Sequence, residues 1–97
     1  MSGIEELRRR IDEIDIALTR LLNERAHVAQ QIGRHKVGDR LPVYDPVREE
    51  EIIRNVIAAN KGPLPEQAIK RLFERIMDEI RSVERLAMQD DTKGSER

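Results

Sequence analysis

From Leu7 onward the apolar residues fall at Leu7, Ile11, Ile14, Leu18, Leu21/Leu22, Val28, Ala29 and Ile32. Alternating steps of three and four put one apolar stripe along an amphipathic helix. No breaker interrupts the pattern before Gly33 and Gly38, so the spacing predicts one helix over Ile4–Val37. About 34 residues at 1.5 Å each make a rod of roughly 50 Å, whereas a compact chain of this length has a diameter near ~32 Å. The helix therefore overhangs its own domain. Because the stripe is apolar throughout, the overhang needs a partner, and a two-fold dimer of crossed or antiparallel long helices covers it most simply.

Two shorter helices follow. Gly38-Asp39-Arg40-Leu41-Pro42 reads as a loop, and Asp45-Pro46 as a start signal: an N-cap carboxylate accepts from orphan backbone N–H groups, and proline at the first helical position loses no needed donor. The second helix is expected from there to Asn60, with Ile52, Ile53, Val56 and Ile57 as its apolar face, before Gly62, Pro63 and Pro65 end it. The third starts at Pro65 or Glu66 and carries Ala68, Ile69, Leu72, Phe73, Ile76, Met77, Ile80, Val83 and Ala87. From Asp90 the chain is polar enough to read as a disordered tail. The expected organisation is all-α, an intertwined homodimer whose protomer has one helical domain over 1–89 and a tail over 90–97.

Composition narrows the function. Charged residues make up 38% of the chain, yet 18 Lys+Arg against 19 Asp+Glu leave a net charge of −1, so no chain-wide field draws in nucleic acid or anionic lipid. Leu, Ile, Val and Phe supply about a quarter of the residues, above the ~20% below which highly charged chains stay unfolded. Without cysteine, disulfide scaffolds, Cys-based zinc sites and thiol nucleophiles drop out. Two aromatic residues, Tyr44 and Phe73, offer no stacking platform for single-stranded nucleic acid. No basic-then-apolar leader and no ~18-residue apolar run is present, so a soluble cytoplasmic protein is expected, with no nucleic-acid or membrane partner. His27 and His35 lack a neighbouring ligand pattern and read as solvated helix residues.

Three charges interrupt the apolar faces, and such violations are where functional sites are expected. Arg25 continues the series Leu18, Leu22, Ala29; Lys36 lies 11 residues, three turns, further along the same face; Glu84 sits between Ile80 and Ala87 on the core side of the third helix. Each alone is compatible with a snorkelling side chain or a pair across a dimer. Together, two inward cations imply a dry anion site unless acids are buried with them, and Glu84 is the one obvious inward carboxylate.

At these positions the chain resembles the all-helical, AroQ-class chorismate mutases. The resemblance covers Ile4 to Ala87 and rests on Leu7-Arg8, Ile11-Asp12-Glu13-Ile14-Asp15, Leu22-Asn23-Glu24-Arg25, Ile32-Gly33-Arg34-His35-Lys36 and Val43-Tyr44-Asp45-Pro46-Val47-Arg48-Glu49. It implies an intertwined homodimer that rearranges the dianion chorismate to prephenate with no metal, cofactor or covalent intermediate. By the same resemblance Arg25, Arg48 and the partner subunit's Arg8 hold the substrate carboxylates, Lys36 and Glu84 bracket the ether oxygen, and Asp45 and Glu49 orient the hydroxyl. Arg8 and Arg25 are 17 residues, ~25 Å, apart on one helix, so they cannot serve the same small ligand from one subunit.

Two departures matter. Ile80 stands where relatives often carry Ser and cannot hydrogen-bond a carboxylate. Glu84 stands where Gln is common; an ionised carboxylate would repel the dianion, so the reading requires a protonated Glu84. Alternatives on the same fold are an isochorismate-pyruvate lyase, and a non-catalytic dimerisation or regulatory module fused to or in complex with another shikimate-pathway enzyme.

Overall fold

The computed structural model describes residues 3–95, with side chains through 90. It has three helices: α1 (Gly3–Asp39), α2 (Pro46–Ala59) and α3 (Glu66–Ser95). The protomer measures 61 × 28 × 15 Å with a radius of gyration of 17.4 Å, well above the ~12.5 Å of a compact chain of this size. The overhang expected from the length of α1 is thus present. Helix α3 continues past Asp90, where the sequence suggests a polar tail; residues 96–97 and the side chains of 91–97 lie outside the described residues.

Helix α3 packs against both α1 and α2. The row of α1 that meets it is not the whole apolar stripe. Ala26, Ala29 and Gly33 are covered, whereas the larger Val28 and Ile32 are about half exposed. Small side chains let two helix backbones approach closely, and Gly33 is the tightest point: a Cβ there would lie 2.8 Å from the carbonyl oxygen of Glu84 and 3.1 Å from its Cγ. The core around this crossing consists of Ala29, Met77 and Ala87 with the buried Glu84. Toward the N-terminus, Leu7, Ile11 and Leu18 are 57%, 56% and 52% exposed, an apolar face that this protomer alone does not cover. Leu72 of α3, expected on the core stripe, is also exposed, since α1 and α2 flank it without closing over it.

The helix ends follow local rules with one exception. Asp45 caps α2 through Oδ1, which accepts from the Arg48 N–H at 3.1 Å, and Pro46 follows it. Asn60 closes the same helix by donating its N–H to the Ile57 carbonyl, and its side chain bridges Leu64 and Gly62. Helix α1 runs through Gly38 and stops one residue later. There Leu41 N–H reaches the Lys36 carbonyl at 2.8 Å and Arg40 N–H the Val37 carbonyl at 3.2 Å, with Arg40 itself at φ 56°. This is the closure that normally places glycine in the left-handed position. Here an arginine carries that strain and Gly38 is ordinary helix.

Two glycines therefore respond oppositely to alanine. Gly38→Ala meets nothing within 4 Å and should gain roughly 0.5–1 kcal/mol of stability from lost chain entropy. Gly33→Ala must push α1 off α3 and should lose about 1–3 kcal/mol. Urea unfolding of the two variants checks both signs.

Candidate active site

The α1–α3 crossing, the start of α2 and the connection between α1 and α2 enclose a cleft of about 250 Å³. Arg25, Val28 and Ile32 face it from α1, Val43 and Asp45 from the connection, Arg48, Glu49 and Ile52 from α2, and Ile80, Arg81 and Glu84 from α3. Its walls are aliphatic with charged groups at fixed points, as suits a small polar ligand. Among the described residues no group of three or more His, Asp or Glu converges as metal ligands would.

Lys36 and Glu84 meet at one end. The Lys36 ammonium lies 2.7 Å from Glu84 Oε1 and donates to the Val43 carbonyl at 3.0 Å, and the two side chains are 16% and 12% exposed. The ammonium approaches Oε1 outside hydrogen-bond geometry, so that buried oxygen has an electrostatic partner and no aligned donor. The hydrogen bond to Val43 occupies one of the three ammonium protons.

Arg25 is the opposite case. Burial first, and the neighbouring Arg48 guanidinium second, lower its pKa from the ordinary arginine value. Both causes disfavour the cation, and among the described residues no carboxylate pairs with Arg25. A bound anion would relieve both. Arg48 itself is exposed and ion-paired with Glu51 one turn on, within reach of exchanging that partner for a ligand at the mouth. Asp45 is committed to the α2 cap through Oδ1.

Of the residues singled out from the sequence, Arg25, Asp45, Arg48, Glu49, Ile80 and Glu84 line this cleft, and Lys36 adjoins it through Glu84 and Val43. Arg8 does not reach it. Its side chain is 72% exposed and paired with Glu5 near the far end of α1. Sequence reasoning missed Arg81, which donates to Glu49 and Asp78 and lies over the Tyr44 ring. It sits in a charged run on α3, and its adjacency to Ile80 was the only cue.

The chain matches the family model described as chorismate mutase type II over residues 7–85, a span that includes Arg8 and every charged residue lining the cleft. The chain belongs to the chorismate mutase type II family. It is 46% identical over 78 residues to a bifunctional chorismate mutase/prephenate dehydratase of Neisseria gonorrhoeae, covering 80% of this chain and 21% of that protein. With the protein of the same description from Aquifex aeolicus it shares 38% over 89 residues, 88% of this chain and 25% of that one. The chain thus spans about a quarter of the length of these curated relatives. A solved structure of chorismate mutase (form II) from Thermus thermophilus superposes with a TM-score of 0.85 at 38% identity, covering 87% of this chain and 96% of that one. Chorismate mutases are isomerases, and the all-helical architecture is the one these structures share.

The Lys36–Glu84 pair makes a direct prediction. Lys36→Met strands a buried carboxylate beside an orphaned oxygen and should cost about 1–3 kcal/mol. Adding Glu84→Leu removes the stranded charge and should restore most of the loss, as urea unfolding of the single and double variants would measure.

Proposed function

We propose that this cleft binds chorismate and rearranges it to prephenate, as one of two equivalent sites in a cytoplasmic homodimer. The observation that carries the reading is the cation arrangement: a half-buried Arg25 without a carboxylate partner, Arg48 beside it, and Lys36 at the other end. Guanidinium groups bind carboxylates through paired donors, which suits a substrate with two of them. Val28, Ile32, Ile52 and Ile80 supply an aliphatic wall that holds the ring in its folded conformer. Rate then comes from orientation and from donors aimed at the ether oxygen as its C–O bond breaks. The names of the bifunctional relatives pair chorismate mutase with prephenate dehydratase, which supports prephenate as a product that a second enzyme, fused or separate, consumes.

The dimer reading rests on the exposed face of α1, where Leu7, Ile11, Ile14, Leu18 and Leu21 are each more than half exposed; contiguous apolar surface of this kind marks an association face. It also supplies Arg8. Packing the N-terminal half of one α1 beside the partner's cleft brings the partner subunit's Arg8 to the substrate, which the ~25 Å between Arg8 and Arg25 forbids within one chain. Following chorismate loss in the ultraviolet with product identification tests the activity; isochorismate as a parallel substrate tests the lyase alternative. Absence of prephenate would overturn the reading.

If Arg8 acts in trans, mixing inactive Arg8→Ala with inactive Lys36→Ala should restore activity. Random exchange makes half the dimers mixed, and each holds one intact site, so about a quarter of wild-type sites return. No recovery after verified exchange would place Arg8 outside the partner's site.

Glu84 serves the ether oxygen only as a donor. Its carboxylate faces the Lys36 ammonium at 2.7 Å, and a hydrogen bond from this position to the ether oxygen needs a group that donates. Glu84→Gln supplies an amide donor in the same place and should keep kcat/KM at or above wild type, whereas Glu84→Ala should lose most of it; a Gln variant as impaired as the Ala variant would rule the donor role out.

A further inference from the structure

Each nitrogen of the Arg81 guanidinium donates within the protein. Its Nε and Nη2 both donate to Glu49 Oε2, at 3.2 and 2.6 Å, and its Nη1 donates to Asp78 Oδ1 at 3.2 Å. The guanidinium carbon lies 5.3 Å from the centroid of the Tyr44 ring. The hydrogen bond to Glu49 is the foremost cause raising the pKa of Arg81, partly opposed by burial. This guanidinium is held in place by carboxylates of its own chain, in contrast with Arg25.

Glu49 gains what Arg81 gives up. The two residues are 32 positions apart and join α2 to α3, with side chains 26% and 23% exposed. One carboxylate oxygen, Oε2, takes both bonds from Arg81. Among the described residues no donor reaches Oε1, although Glu49 lines the cleft. A carboxylate held by one oxygen to an arginine has its rotamer set before a ligand arrives, and its second oxygen is left to accept. An acceptor already ion-paired with Arg81, beside the cations Arg25 and Arg48, fits an uncharged donor.

We propose that Arg81 is a positioning residue that aims Glu49 Oε1 at the ring hydroxyl of the substrate, so that it governs discrimination for that hydroxyl without touching the substrate. The inference rests on the chorismate reading above and adds the residue that sets the acceptor. Asp78 and Tyr44 belong to the same device: they hold the guanidinium from the sides that Glu49 leaves open.

The test compares kcat/KM for chorismate and for an analogue with hydrogen in place of the ring hydroxyl. Wild type should prefer chorismate. Arg81→Met should lose roughly 10- to 100-fold on chorismate, as expected when an acceptor drifts by about an ångström, and change little on the analogue, so that the preference collapses. Glu49→Gln should collapse it equally, and adding Arg81→Met to Glu49→Gln should cost little more, since both act on one contact. Arg81→Lys, which keeps one donor, should recover part of the preference; with Glu49→Gln it carries the test if the Met variant does not fold. An equal loss on both substrates, or additive losses in the double variant, overturns the inference and leaves the activity standing. A wild type inert toward chorismate sinks the activity and this inference together.

Discussion

Everything in the cleft depends on how closely α1 and α3 can approach, and Gly33 sets that distance. The Glu84 carbonyl sits where a side chain at position 33 would begin. Because Lys36 is three residues beyond Gly33 on the same face, the close crossing also fixes the ammonium against the Glu84 carboxylate at 2.7 Å. Spread the helices by the radius of a methyl group and the ion pair lengthens. A backbone contact thus governs an electrostatic one, and Lys36, through its bond to the Val43 carbonyl, ties that pair to the connection leading into α2.

The cleft treats its charges in two ways. Lys36 with Glu84, and Arg81 with Glu49, are paired across elements at 12–26% exposure. Such pairs specify geometry more than they add stability, because desolvation offsets most of their attraction. Arg25 is instead left without an acid, and both burial and Arg48 act against its charge. On the proposed function that cost is preorganisation: the cation is left without an acid among the described residues, so an anion binding there has no internal partner to displace. Asp45 and Glu49 mark the other half of the arrangement, acceptors beside the arginines.

Much of this was legible along the chain because it is local. The 3–4 spacing of α1, the Asp45-Pro46 start and the Lys61–Pro65 stop depend on residues within a turn of one another, and the structure has each of them. The inward charges Arg25, Lys36 and Glu84 were visible as breaks in an apolar series. What was not legible depends on the neighbouring helix. Gly33 read as a candidate breaker, since nothing in the α1 sequence shows that Glu84 will lie against it. Arg40 gave no hint of a left-handed conformation that the sequence would assign to Gly38. Arg81 looked like solvated surface beside Asp78 and Glu79, because the partner that gives it meaning, Glu49, is 32 residues away. Val28 and Ile32 were placed on the packed stripe, whereas the row that α3 covers is the smaller Ala26-Ala29-Gly33.

That displacement bears on the assembly. A helix whose small residues face its own α3 and whose larger aliphatics remain uncovered carries two packing faces, and only one is used within the protomer. The unused face extends from Leu7 through Leu18 and Leu21 to Val28 and Ile32, so it ends in the cleft that holds Arg25. A second copy laid along that face would therefore do more than cover apolar surface. On the proposed function, its N-terminal segment, with Arg8, would run past the open side of the cleft and add a cation to Arg25 and Arg48. Folding stability and substrate binding would then draw on the same contact. A protomer separated from its partner would lose both at once, which distinguishes this arrangement from a dimer whose subunits each carry a complete site.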